Sequence, residues 1–167
     1  MTLASLAAAC TAQTHIATPL GEMLLARTES GLAGAWFTGQ KAHPHSLSAP
    51  RRDDDPLLRA AAGQLGEYFA GRRKRFDLPL DPRGTDFQRK VWQALQGIEN
   101  GQTSSYGAVA RQVGSPRAVR AVGAAVGRNP LGVIVPCHRV LGTDGSLTGY
   151  AGGLERKSAL LRLEGVL

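Results

Sequence analysis

The sequence predicts an α+β chain in two parts, strands first and helices after. Residues 13–37 hold short apolar runs broken by turn residues, whereas beyond residue 85 the apolar residues recur at helical spacing. Asp81-Pro82-Arg83-Gly84 lies where one pattern gives way to the other, so the expected domains are residues 1–83 and 84–167. A length of 167 residues fits one domain or two small ones. With 43% hydrophobic and 20% charged residues, the composition is that of a folded chain and not a disordered one. No apolar run, Leu131 to Pro136 among them, comes near the roughly 20 residues that span a bilayer, so no membrane association is expected.

The first ten residues, MTLASLAAAC, carry no Lys or Arg ahead of their apolar stretch. They read as a frayed start of the mature chain, a lipoprotein signal ending at Cys10 being the alternative. Strands are expected over Gln13–Thr18, Glu22–Arg27 and Leu32–Phe37, with turns at Pro19-Leu20-Gly21 and Ser30-Gly31. Residues 38–55 read as a polar surface loop. Pro56 follows an Asp that can cap, and Leu57, Leu58, Ala61, Ala62, Leu65, Tyr68 and Phe69 mark a helix that Gly71 stops. The basic run Arg72 to Arg75 comes next, and Phe76, Leu78 and Leu80 alternate as a strand would.

Past the boundary, Thr85 or Asp86 can cap a helix bearing Phe87, Val91, Trp92, Leu95 and Ile98. A second, shorter helix is expected from Ser104 or Ser105 to Gly114. Ser115-Pro116 then reads as the cap and first position of a third. Two short helices joined by a glycine turn match helix-turn-helix spacing. On the third helix, Ala118, Val119, Val122, Ala125 and Val126 fall on one side. Arg117, Arg120 and Arg128 fall on the other, with only Gly123, Ala124 and Gly127 between them. Small residues there suit close approach to a groove, or else packing against another helix.

The net charge of +7 is uneven, +2 over residues 1–83 and +5 over the rest. Between Asn100 and Thr143 there is no acid, while Arg111, Arg117, Arg120, Arg128 and Arg139 fall inside. Such a stretch suits a polyanion, with arginine favouring planar phosphate or base contacts; the plain alternative is a solvated face. Two cysteines, Cys10 and Cys137, make no disulfide framework, which points to free thiols in a reducing compartment, the cytoplasm.

Pro136-Cys137-His138-Arg139-Val140 places a thiol next to an imidazole in an acid-free neighbourhood. A cysteine acts as nucleophile only as thiolate, so it needs a base or an opposite charge nearby. On an extended segment adjacent side chains point apart, so a proton could pass from Cys137 to His138 through water as well as by direct contact. Most lone cysteines are small buried hydrophobes, and taken alone Cys137 has that reading too.

Residues 84–165 resemble the catalytic domain of the O6-alkylguanine-DNA alkyltransferases, the methylated-DNA–protein-cysteine methyltransferases. Phe87-Gln88-Arg89-Lys90-Val91-Trp92, Ser105-Tyr106-Gly107, Arg120-Ala121-Val122-Gly123, Arg128-Asn129-Pro130, Pro136 to Val140 and Gly149-Tyr150-Ala151-Gly152-Gly153 carry the likeness, closed by Lys157 and Leu160 to Gly165. The first half resembles, in layout, the family's ribonuclease-H-like structural domain; the second, its helix-turn-helix, winged-helix-like domain. The resemblance implies repair of O6-alkylguanine in double-stranded DNA by base flipping and a single irreversible transfer to Cys137. In that scheme His138 and Glu164 relay the thiol proton, and Tyr106 donates to the leaving base. Backbone groups of Cys137, Val140 and Ala151, with the ring of Tyr150, form the guanine pocket. Arg120 fills the vacated stack, Gly123 and Arg128 meet DNA, and Asn129 ties the recognition helix to the active segment. Ala151 stands where the family often has Ser, which removes a hydroxyl but leaves the backbone N–H.

No cofactor and no metal are implied, and the protein is expected to act as a monomer, with cooperative binding along DNA left open. A zinc site from Cys10, His15, His43 and His45 would lack metal-type spacing. One alternative function is that of a non-catalytic alkyltransferase-like lesion binder, which would lack the acceptor cysteine. Another is a winged-helix regulator, which has no use for Cys137, His138, Tyr106 and Glu164 together.

Overall fold

In the computed structural model, which describes residues 3–44 and 46–167, the chain divides between Arg83 and Gly84 into two compact units. The first is a three-stranded antiparallel sheet with helices. The sheet comprises β1 (Ala12–Thr18), β2 (Gly21–Arg27) and β3 (Leu32–Phe37), in that spatial order. His15 pairs with Leu24, and Leu24 with Trp36.

Every residue of β3 is buried, so this strand shows none of the alternation that marks a half-exposed one. One sheet face meets α2 (Pro56–Phe69), through its Leu58, Ala61, Leu65 and Tyr68. On the other face Leu24, Ala26 and Trp36 cluster with Leu6, Cys10 and Ala49. Leu6 belongs to α1 (Leu3–Ala9), so from Leu3 onward the N-terminus is not the frayed segment expected; residues 1 and 2 lie outside those described. An alanine-rich stretch becomes a helix here because Leu6 and Cys10 find apolar cover.

Asp55 caps α2, accepting from the Leu58 amide at 3.0 Å, and Pro56 starts it. The strand expected at 76–80 does not form. Only a bridge joins Leu80 to Leu32, with Leu32 N–H donating to the Pro79 carbonyl and Asp81 N–H to that of Leu32. Proline at 79 has no N–H with which to extend a ladder.

The second unit is built on α3 (Asp86–Gln96), α4 (Tyr106–Gln112), α5 (Val119–Gly127) and α6 (Leu154–Leu163), with β4 (Ser104–Ser105) and β5 (Val140–Leu141) pairing in parallel. Thr85 and Gln88 close a capping box on α3, and Ser105 caps α4 through the Ala108 amide. Gly114, at φ +78°, takes the left-handed turn that ends α4.

The third helix begins later than expected. Ser115 to Ala118 form a turn in which the Ala118 amide bonds to the Ser115 carbonyl, and α5 starts at Val119 with no side-chain cap. Arg117 therefore precedes the helix, and Val119, expected inside, is 38% exposed. α5 packs on α3 and α4 through Val122, Ala125 and Val126, and Trp92 Nε1 donates to the Ala125 carbonyl at 2.8 Å. Among the described residues no helix is long and apolar enough to cross a membrane.

Candidate active site

Residues 131–140 are all buried, and residues 131–136 lie outside any helix or strand. Val133 has a φ of +71°, and Cys137–Arg139 forms one 3-10 turn. The expected extended conformation at Cys137-His138 is thus corrected to a turn. Asn129, just past α5, anchors this segment: its Nδ2 donates to the Val135 carbonyl at 2.8 Å, and its Oδ1 accepts from the Leu131 amide at 2.9 Å. The end of the helix-turn-helix is fixed to the cysteine turn in this way. Pairing of Ser104 with Val140 sets the start of α4, and so Tyr106, beside the same turn.

Cys137 is buried, which pushes its thiol above the ordinary value. A hydrogen bond from Asn129 and the charge of Lys157 work in the opposite direction. His138 is wholly buried, and its Nε2 lies 2.7 Å from Glu164 Oε2. Burial lowers the imidazole below its usual value, and the adjoining Glu164 only partly offsets this.

The ring is then neutral near pH 7. Because a carboxylate only accepts, Nε2 carries the proton and Nδ1 keeps its lone pair. Nδ1 is buried and has no hydrogen-bond partner, so it does not bond Cys137 directly. The arrangement offers a buried thiol, a neutral imidazole with an open acceptor nitrogen, and a carboxylate that orients the ring.

Glu164 sits at the C-cap of α6 with its side chain fully buried. Arg139 grips it twice, Nε to Oε1 at 2.7 Å and Nη2 to Oε2 at 2.9 Å, while Nη1 donates to the Ile98 carbonyl at 2.5 Å. Arg139 falls in the acid-free stretch expected to face a polyanion; at 5% exposure it is instead an internal counter-charge. Its place inside an otherwise buried run was the available signal. Lys157 is a further site residue to which sequence reasoning assigned no role. It is wholly buried and bonds three backbone carbonyls.

The Tyr106 hydroxyl donates to the Thr148 carbonyl at 3.0 Å, and burial, then the nearby Cys137 sulfur, raises its pKa, so the phenol stays protonated. Tyr150 and Ala151 are half-buried in the following loop. A Cβ on Gly152 would lie 2.7 Å from the Tyr150 ring, so only glycine lets that ring fold back on its own loop. The Val140 amide is used within the turn, and its carbonyl accepts from Lys157.

Arg120 and Arg128 are exposed on or at the end of α5, and Gly123 lies between them, 3.9 Å at its would-be Cβ from the Tyr106 ring. Among the described residues no group of three or more His, Cys, Asp or Glu could hold a metal ion. Of the zinc candidates, His15 pairs with Glu22 at 2.8 Å and His45 lies outside the described residues.

Comparison with known proteins finds two family models in sequence. Residues 12–82 match the ribonuclease-like domain of 6-O-methylguanine DNA methyltransferase, and residues 86–166 match its DNA binding domain. A Methanosarcina acetivorans methylated-DNA–protein-cysteine methyltransferase is 48% identical over 149 residues, covering 88% of this chain and 94% of its own. The constitutive Bacillus subtilis protein of the same name is 47% identical over 150 residues, covering 88% and 91%. Among solved structures, Mycobacterium tuberculosis OGT in complex with DNA superposes with a TM-score of 0.83 at 47% identity, covering 92% of each chain.

Proposed function

Since the chain belongs to the 6-O-methylguanine DNA methyltransferase family, we propose that it repairs DNA by direct reversal, taking the alkyl group of a flipped O6-alkylguanine onto Cys137. One observation carries this reading: the residue after the buried thiol is a buried neutral imidazole with an open Nδ1, its other nitrogen held at 2.7 Å by a buried carboxylate. Nδ1 takes the thiol proton through one intervening water, and Glu164 stabilises the imidazolium that results. The thiolate attacks the alkyl carbon, a C–S bond forms, and the C–O6 bond breaks. Charge leaving with the base is met by the Tyr106 proton at N3. The proton given up by the thiol reaches Tyr106 by way of solvent, and the N3 proton passes to N1 through water, so the balance closes on an S-alkylcysteine and a restored guanine.

A thioether offers no leaving group, so each molecule acts once. Extruding the base costs a few kcal/mol, and Arg120, exposed near the start of α5, fills the gap. Gly123 on that helix and Arg128 at its end meet the DNA; Val140, Tyr150 and Ala151 frame the base. The two free thiols support a reducing, cytoplasmic setting.

The test compares wild type with Cys137→Ala on duplex carrying one O6-methylguanine. Wild type should clear at most one lesion per molecule. The variant should clear none while binding the duplex with nearly unchanged affinity. Repair by the variant contradicts the proposal.

A further inference from the structure

Lys157 belongs to none of the roles assigned above, yet it is as deeply buried as any core residue. A lysine is rarely enclosed without a specific reason, because its ammonium must be stripped of water. Its Nζ donates to the carbonyls of Val140 at 2.6 Å, Thr148 at 2.9 Å and Gly149 at 3.1 Å. Those are three acceptors for the three N–H groups of an ammonium, and no side-chain acid is among them. The acceptors come from β5 and from the loop that leads into Tyr150, so one cation ties the cysteine turn to the opposite rim of the base pocket.

Thr148 is shared. Its carbonyl accepts from Lys157 and also from the Tyr106 hydroxyl at 3.0 Å. For Tyr106 to donate to a base, its hydroxyl must let go of that carbonyl. That carbonyl belongs to an exposed stretch of the loop, so without a fixed donor it would turn toward water and carry the pocket rim with it, in the step that is meant to be accelerated. With the ammonium in place the oxygen keeps a donor throughout. The cation also faces the Cys137 sulfur, favouring the thiolate.

We propose that Lys157 is a positioning residue for alkyl transfer, holding the Thr148 carbonyl and the pocket rim in place while the Tyr106 hydroxyl leaves for the base. This rests on Cys137 as acceptor and Tyr106 as donor. Burial lowers the Lys157 pKa to about 8, against which only the Cys137 sulfur pulls. The other titratable groups around it are His138, on the cysteine turn with Cys137 and lowered further by the lysine charge, and Tyr106 from α4. Glu164 bonds His138, and Arg139 bonds Glu164 in turn. A neutral amine has two N–H groups and a lone pair, so above pH 8 one of the three carbonyls loses its donor.

The experiment is a double-mutant cycle between Lys157→Met and Tyr106→Phe, read as single-turnover transfer from O6-methylguanine duplex alongside duplex affinity. Lys157→Met should slow transfer by roughly 10- to 100-fold, the range expected for a misplaced catalytic group, with affinity little changed. In the Tyr106→Phe background, where no hydroxyl changes partner, the same substitution should cost much less. Lysine as a mere structural tie would slow both backgrounds equally, and that result, or no slowing at all, overturns the proposal.

If Lys157→Met does not fold, Lys157→Gln, which keeps two N–H donors without charge, takes its place in the cycle. Unequal slowing of the two backgrounds again supports the proposal, and equal slowing or none again overturns it. If neither variant folds, wild type decides: transfer should fall as pH rises through about 8, and a rate undiminished well above that pH overturns the proposal. Wild type that leaves the lesion intact overturns the Cys137 reading itself, and this inference with it.

Discussion

Glu164 receives three hydrogen bonds on two oxygens, from His138 and twice from Arg139, and the protonation state of the imidazole follows from that environment. The proposed reaction needs His138 neutral. An unperturbed imidazole is half protonated at about pH 6.5, but burial holds this one lower. The transfer rate should therefore be undiminished at pH 6.5 and fall only as the solution becomes more acidic, measured by single-turnover kinetics across pH 5 to 7.5. Half the rate lost at or above pH 6.5 would contradict the buried neutral base. Stability follows the same sign. Between the unfolded and folded values the unfolded chain binds a proton that the folded one refuses, so this group's contribution is whole above 6.5 and is lost as pH falls below it. Cys137 and His138 were legible because Pro136 to Val140 is a distinctive string. Arg139 and Lys157 were not, since a charge in a sequence has no address: burial and an internal partner are supplied only by segments distant along the chain.

Caps illustrate how far local chemistry carries at the scale of elements. Asp55, Thr85 and Ser105 each accept from the amide three residues on, and each opens the helix that the sequence suggested. Asp55 also meets Arg27 Nη1 at 3.2 Å; burial works against its ionisation, but the Leu58 amide and Arg27 leave the carboxyl below the ordinary range. Asp55→Ala should destabilise the protein by about 1–2 kcal/mol, seen as a lower urea midpoint at unchanged slope. An unchanged midpoint would show that the cap contributes nothing. Ser115-Pro116 carried the same local signal and misled, because Ser115 spends its carbonyl on the Ala118 amide and its own amide on the Ala110 carbonyl. Tertiary demands also overrode pattern at residues 76–80, where one bridge replaces a strand, and at α1, where apolar cover makes a helix of an apparently loose end. The caps at Asp55, Thr85 and Ser105 were readable from local chemistry; features set by packing partners were not.

For the molecule as a whole, the shift from strands to helices around Asp81-Pro82-Arg83-Gly84 could be read because turn chemistry and hydrophobic period change together there, and the chain divides between Arg83 and Gly84. The positive half needs correction by one residue: Arg111, Arg117, Arg120 and Arg128 are exposed, whereas Arg139 is internal. Charge distribution thus supports contact with a polyanion, but it does not distinguish a binder from an acceptor. That distinction falls to the thiols, of which the chain has two, both buried. Cys10 sits in the apolar cluster of the first unit, where burial raises its pKa, the Arg83 charge works against this, and the Asp81 charge adds to it. The most direct measurement is peptide mapping by mass after incubation of the whole protein with O6-methylguanine duplex. A single methyl group on the peptide bearing Cys137, with the Cys10 peptide unmodified, is the predicted result. A methyl group on Cys10, or lesions cleared repeatedly by protein whose mass never changes, would contradict it.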